Sequence, residues 1–509
     1  MIEKSAVPSE RSNPSRAARP TPGDPQRLVD VLVIGGGFAG LCMAIRLRLT
    51  GLSFVVLERA GEIGGTWQAN TYPGCSCDIP SQLYSYSFEL NADWKRTYPP
   101  QSEILAYLKR CADKYLLPGS ILLNTEAREA VFDESNKVWL IRTRHGQTIA
   151  ARAVVSATGP LSRPFTPKLQ GIERFKGKTF HSSEWDHSLD LSGKKVAVIG
   201  TGASAIQFIP QIAPQVEKLT VFQRSPPWIL PKLDVEHANW VYPILRYIPG
   251  CKRLIRSLLF WCQEAVGLGL VNPTLVRPLQ RFARLYISRK ISDPKLRKAL
   301  TPTYTLGCKR ILLSNNYYEA FARANVELIT DEIEEVCAEG IVTQDRSVRP
   351  FDVIIFGTGF QGGYLLSPLR VIGRNRAELQ KRWRDDPGAF LGMTVPGFPN
   401  FFVLVGPNTF SANNSVVFMI EAQVHYVLKC LRWLQKSGHS TIDVRVDVQD
   451  RFAGELQERM KGTAWVSGCK SWYLDRYGKN VRLWPGSAAR YWLRTRRFSP
   501  NDYLCTSGG

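Results

Sequence analysis

No apolar run in this 509-residue sequence reaches the ~20 residues that a membrane-spanning helix needs, and the longest candidate, Leu258 to Val271, is interrupted by Gln263 and Glu264. A secretory signal is missing as well, because Met1 to Asp24 mixes Ser, Pro, Arg and acidic residues without an apolar stretch. These two absences predict a cytoplasmic location. The 11 cysteines have neither zinc spacing nor the compact framework of a small secreted domain, which predicts reduced thiols and no metal site. Cys75 and Cys77 form a C-x-C, whereas a redox dithiol is expected as C-x-x-C. Acidic residues are scarce, 44 against 66 Lys and Arg, leaving a net charge of +22.

That charge raises nucleic acid, anionic lipid and phosphate-rich ligands as partners, and its distribution separates them. Between Cys251 and Arg310 there are thirteen Lys or Arg against Glu264 and Asp293, an excess of +11 that is half the total. Trp and Phe alternate with the cations there, as they do in interfacial helices. The expectation is possible contact with an anionic membrane surface and no nucleic acid.

A chain of this length exceeds one hydrophobic core, so several domains are expected. Hydrophobic residues at 44% and charged residues at 22% exclude a disordered or collagenous chain and fit a soluble multidomain protein. Residues 1–27 read as a disordered tail rich in Ser, Pro and Arg. After it, Leu28 to Ile34 reads as a buried strand, Gly35-Gly36-Gly37-Phe38-Ala39-Gly40 as a glycine turn and Leu41 to Leu49 as a helix. Phe54 to Leu57 then forms a second strand ending in Glu58.

The plan recurs at Lys195 to Ile199, followed by Gly200-Thr201-Gly202-Ala203-Ser204-Ala205, a helix and the strand Leu219 to Phe222. Each copy closes on a hydrophobic strand and a glycine turn, ending at Gly159 and Gly359. The fold class is therefore α/β, with two Rossmann-like dinucleotide-binding domains and a helical insertion in the second. The expected boundaries are 28–160 with 361–509 for the first, 170–229 with 305–360 for the second, and 230–304 for the insertion.

Gly35, Gly37 and Gly40 permit a tight turn and close approach to a pyrophosphate, while Glu58 suits ribose hydroxyls. The second unit keeps Gly200, Gly202 and Ala205 but ends its second strand in Gln223-Arg224-Ser225. An arginine there suits a 2′-phosphate that a carboxylate would repel. The first unit is thus expected to hold FAD and the second NADPH. Two such units imply hydride transfer, and a reductase, a dehydrogenase, an oxygenase or a non-catalytic redox sensor all remain open from the residues alone.

Phe175-Lys176-Gly177-Lys178-Thr179-Phe180-His181-Ser182-Ser183-Glu184-Trp185-Asp186 resembles the fingerprint of Baeyer–Villiger monooxygenases, class B flavin-dependent enzymes. Its fixed positions are Phe175, Gly177, His181, Trp185 and Asp186; N- and S-oxygenating relatives usually carry Tyr or Phe at the tryptophan. The resemblance runs from about Leu28 to Phe498 and includes Gly64-Gly65-Thr66-Trp67, Tyr72-Pro73-Gly74 leading to Asp78, Gly307-Cys308-Lys309-Arg310, Gly406-Pro407-Asn408 and Ser471-Trp472-Tyr473.

The resemblance implies an enzyme that uses NADPH and O2 to convert ketones to esters or lactones through a C4a-peroxyflavin. An N- or S-oxygenating flavin monooxygenase is the alternative. Trp67, Asp78 and Tyr84 resemble residues along the flavin, Lys309 a second contact to the 2′-phosphate and Trp472 a residue near the nicotinamide. Arg310 resembles the family's catalytic arginine, with Asp78 orienting it. Cys75, Cys77 and Pro80 depart from common versions of the flavin-side wall. The sequence says nothing of oligomeric state.

Overall fold

The computed structural model describes residues 28–361, 366, 368–411 and 414–507; the expected N-terminal tail lies outside them. Two sheets, each built around parallel strands, organise the chain. In the first, strand Leu28–Ile34 lies between Phe54–Leu57 and Thr148–Ser156, with Val33 opposite both Val56 and Val155. These strands are buried on both faces, which is why they read as continuous apolar runs rather than alternating ones.

A meander of Ala127–Asp133, Val138–Thr143 and Thr148–Ser156 extends that sheet antiparallel. The chain returns to it late: Phe401–Val403 pairs parallel with Val154 to Ser156, and Arg370–Ile372 with Glu129 to Val131. Helix Val416–Ser437 then packs on helix Phe38–Arg48.

The second sheet is five-stranded and wholly parallel, in the order Val326–Ile329, Lys218–Phe222, Lys195–Ile199, Val353–Phe356, Lys178–His181. Its last member lies within the fingerprint segment, for which the sequence offered no strand. The segment Lys178–His181 is instead an edge strand, with His181 opposite Phe356. A four-residue strand of Lys, Thr, Phe and His with an exposed first half carries no clear period, so tertiary pairing alone defines it.

Between the halves of this sheet lie helices Val241–Tyr247, Cys251–Val271, Pro273–Lys290 and Pro294–Leu300. Asn272 separates the two long ones and caps the second, accepting a hydrogen bond from the Thr274 N–H at 2.9 Å, with Pro273 at the first helical position. Helix Cys251–Val271 begins upstream of the apolar run seen in the sequence. With 21 residues it is, among the described residues, the one helix long and apolar enough to cross a membrane by length and composition.

The expectation of reduced thiols fails at one pair. Cys308 and Cys469 form a disulfide across 161 residues of sequence, with Cα atoms 6.2 Å apart. Neither cysteine lies in a spacing motif; the fold brings them together.

Candidate active site

Each dinucleotide turn is closed by backbone contact that only glycine tolerates at its first position. Gly35 has φ of +110°, and a Cβ there would stand 2.5 Å from the Ala157 carbonyl oxygen. Gly200, at φ of +106°, would place one 2.6 Å from the Gly357 oxygen. At Gly37 the nearest heavy atom to such a carbon is Gly65 Cα at 3.5 Å, so the cradle is open there. Helix Phe38–Arg48 starts at Gly37 without a side-chain cap, and helix Ala205–Ile212 starts at Ser204 in the same way. The first helix leaves its opening N–H groups for an anion, whereas at the second the Ile206 and Gln207 N–H groups donate to the Gly202 and Ser204 carbonyls and the glycine turn ahead of them is the part that fits a pyrophosphate.

Glu58 is buried, with Oε2 accepting from the Gly36 N–H at 2.6 Å and Oε1 from the Ala60 N–H at 2.8 Å. It braces the glycine turn, and its remaining lone pairs are the ones available to a ribose. Gly64 and Gly65 pack on this turn and launch the short helix Thr66–Ala69. Trp67 on that helix donates its indole N–H to the Tyr84 hydroxyl at 3.1 Å, and the Phe38 ring meets Tyr84 edge-on at 5.0 Å. Burial pushes the Tyr84 phenol well above its ordinary pKa, so it stays a neutral donor.

At the second turn Gln223 is directed away, donating to the Ala299 carbonyl at 2.9 Å. Lys309 donates to the Ser225 hydroxyl at 2.9 Å and lies 4.7 Å above the Tyr304 ring. Burial, and after it the nearby Arg224, pushes the Lys309 ammonium below the usual lysine value. Among the described residues no carboxylate pairs with either cation. Two cations and a hydroxyl without a counter-ion fit a phosphate.

Asp78 and Arg310, 232 positions apart, meet between the two units. Nε and Nη2 of Arg310 both donate to Asp78 Oδ2, at 3.0 and 2.6 Å, leaving Nη1 without a partner among the described residues. Asp78 holds the guanidinium above its ordinary pKa against the effect of burial. Both side chains keep about a third of their surface open, 34% and 28%. Tyr473 lies beside the pair, and burial pushes its phenol up to about 12.

The fingerprint residues fill different roles. Phe175 packs in the second sheet's core, and a Cβ at Gly177 would collide with the Asp352 oxygen at 2.3 Å. His181 is buried, its Nδ1 bonded to Ser183, and burial lowers its pKa. Trp185 wedges between Phe180 and Phe208, each ring centroid 5.3 Å away. Asp186 caps the following turn through Ser188. Trp185 alone of the five joins the edge strand to helix Ala205–Ile212 through its ring contacts. Trp472 is 42% exposed and meets the rings of Phe410 and Tyr473.

Several residues were not legible in the sequence. Gln207 accepts from the Tyr72 hydroxyl at 3.0 Å and donates to the Ser76 carbonyl at 3.0 Å, tying the Tyr72–Gly74 segment to the second unit. Lys232 donates to Ser76 Oγ at 3.0 Å, and with Tyr98, Gln207 and Asn315 it lines a cavity of about 570 Å³ between the units. Cys75 and Cys77 are buried free thiols, and burial raises the Cys75 pKa to about 11, which leaves little thiolate for redox chemistry. The disulfide partner Cys308 sits directly before Lys309, so the loop carrying Lys309 and Arg310 is stapled to the segment that carries Trp472 and Tyr473.

Known proteins share this arrangement along nearly the whole chain. Residues 32–247 match the family model described as pyridine nucleotide-disulphide oxidoreductase. A Baeyer–Villiger monooxygenase of Pseudomonas aeruginosa is 45% identical over 507 residues, spanning 98% of this chain and 96% of that protein. Among solved structures, oxidized steroid monooxygenase bound to NADP superposes with a TM-score of 0.86 at 31% identity, over 94% of this chain and 100% of that one. OTEMO in complex with FAD and NADP gives 0.85 at 27% identity, over 94% and 99%. With two dinucleotide turns, an inter-unit arginine–aspartate pair and relatives matched end to end, this chain belongs to the Baeyer–Villiger monooxygenase family.

Proposed function

We propose that Arg310 is the catalytic residue of this FAD- and NADPH-dependent Baeyer–Villiger monooxygenase, with Asp78 positioning it and a ketone and O2 as substrates. Bound FAD supplies the chemistry of passing electrons from NADPH to O2 and delivering one oxygen atom beside a ketone carbonyl. The observation that carries the assignment is the forked contact to one carboxylate oxygen, which spends Nε and Nη2 and leaves Nη1 to donate elsewhere. A fixed cation with a free N–H stabilises negative charge developing on oxygen, both on the attacking group and on the carbonyl oxygen of the adduct. Because Asp78 also keeps Arg310 protonated throughout any working pH, the arginine acts as a charge and donor and never as a base.

Gly35, Gly37, Gly40 and Glu58 would hold the FAD pyrophosphate and ribose, with Trp67 and Tyr84 along the flavin. Gly200, Gly202 and Ala205 would hold the NADPH pyrophosphate, Arg224, Ser225 and Lys309 its 2′-phosphate, and Trp472 would approach the nicotinamide. The domain boundaries 28–160 with 361–509, 170–229 with 305–360, and 230–304 for the helical insertion follow the same reading.

The test is Arg310→Ala. Loss of one oxyanion donor costs about 10²–10³ in rate, and loss of a full charge should cost at least that. The variant should bind FAD, be reduced by NADPH and form little or no ester or lactone, with thioether oxidation assayed alongside. Asp78→Ala should act more mildly. Ester formation near the wild-type rate by folded, FAD-loaded Arg310→Ala would overturn the assignment.

A further inference from the structure

The outward face of the helical insertion has the wrong polarity for water. On helix Cys251–Val271 the exposed stripe runs through Leu254, Leu258, Trp261, Ala265 and Leu268, a spacing of four and three that keeps one side of a helix turned to solvent. Trp261 is 62% exposed and Leu258 58%. The neighbouring helix Pro273–Lys290 adds exposed Leu275, Phe282 and Leu285, interleaved with exposed Arg277, Arg281 and Arg284. An ordinary surface helix hides its apolar stripe. Here both of two helices packed on each other carry exposed large apolar side chains.

The charge on these helices has one sign. From Val241 to Lys290 the single carboxylate is Glu264, and it is buried facing inward, accepting from Asn414 Nδ2 at 2.7 Å and from the backbone N–H groups of Ala488 and Ala489. Arg256 is also turned inward, its Nη1 donating to the carbonyls of Gln82, Leu83 and Ser85 at 2.7 to 3.2 Å. Arg253, Arg277, Arg281 and Arg289 form no ion pair among the described residues. The inward ties also settle how the long helix can lie. Arg256 and Glu264 sit eight residues apart, about 12 Å along the axis, and both are bonded to the body of the protein. Spanning a bilayer would tear out both and strand two charges, so the helix lies flat although its composition would let it cross.

We infer that this face is an interfacial membrane-docking surface for an anionic lipid bilayer. The apolar stripe enters the boundary between headgroups and acyl chains, Trp261 sits at headgroup depth, and the arginines meet lipid phosphates. Charge complementarity selects this occupant over a second copy of the chain, since a two-fold contact through the same face would set arginine against arginine. The surface is independent of the assignment of Arg310.

The experiment is cosedimentation of the FAD-loaded full chain with vesicles of phosphatidylcholine alone or mixed equally with phosphatidylglycerol. Binding is expected to the anionic vesicles at low salt, weakened by added salt. Arg277→Gln with Arg281→Gln should weaken it about 20- to 30-fold, roughly fivefold per cation. Leu258→Glu with Trp261→Glu should abolish it, while flavin content and turnover of a water-soluble ketone stay at wild-type level in both variants. Absence of binding to anionic vesicles at low salt overturns the inference, as does equal binding by wild type and both variants. A concentration-dependent dimer that Leu258→Glu with Trp261→Glu dissolves, without vesicle binding, would reassign the face to a contact between copies.

Discussion

The two dinucleotide turns solve the same packing problem with the extra methyl on opposite partners. In the first, Gly40 faces Ala157; in the second, Ala205 faces Gly357, and a Cβ built at Gly357 would lie 3.0 Å from that of Ala205. Each crossing therefore accommodates one methyl group. The equivalence has a limit, because a Cβ at Gly40 would come within 1.8 Å of the Gly35 carbonyl oxygen, a backbone atom that cannot rotate away. The turns also differ at the strand end. Glu58 folds back onto its own glycine turn, whereas Gln223 leaves and Arg224, Ser225 and Lys309 gather in its place. Similar backbones thus carry opposite charge at the strand end, and on the proposed assignment charge, more than fold, separates the two cofactors.

Breaking the first turn should have the largest effect. Gly40→Ala is expected to yield apoprotein or no soluble protein, read from the flavin absorbance of the purified chain; a normally loaded, active variant would show that the helix shifts to make room. Next in size is the charge difference. Arg224→Ala or Lys309→Ala should raise KM for NADPH about 10- to 100-fold, the worth of a charge-assisted hydrogen bond, and leave KM for NADH nearly unchanged. The sign with pH follows: Lys309, with its pKa lowered, loses its proton as pH rises, so KM for NADPH should climb in alkali, and Lys309→Arg should flatten that climb. Equal losses with both nucleotides would remove the 2′-phosphate assignment.

The disulfide ties the loop of the second unit that carries Lys309 to the late segment that carries Trp472. Cys469→Ser, or reduction of the wild type, should destabilise the protein by about 2–4 kcal/mol, seen as a lower Tm. KM for NADPH should rise while flavin content is kept, since the staple holds the Lys309 loop and nothing of the first turn. The smallest effect expected is Gly357→Ala, an overpacking worth about 1–3 kcal/mol that Ala205→Gly should largely relieve. A double-mutant cycle with no coupling would show that the two crossings are not equivalent after all.

Much of this was legible in the sequence because backbone demands are local. Glycine at a φ above +100°, as at Gly35 and Gly200, and apolar strands buried on both faces leave signatures within a few residues. The edge strand at Lys178–His181 left none, since four mixed residues acquire strand geometry only from their neighbour Val353–Phe356. Trp185 was readable as part of a family pattern, but its packing between Phe180 and Phe208 was not.

By itself, then, the sequence determined two dinucleotide turns, the acid at the end of one and the arginine at the end of the other, and a basic helical insertion. Those features are fixed by backbone sterics and by charge at named positions. Only the tertiary structure decided that Asp78 meets Arg310 across 232 positions, that Cys308 reaches Cys469 across 161, and that the insertion turns Arg256 and Glu264 inward and its leucines out. The reason is that such pairings depend on how two sheets and a helical layer dock, and no periodicity along the chain records which side of a helix will face the protein.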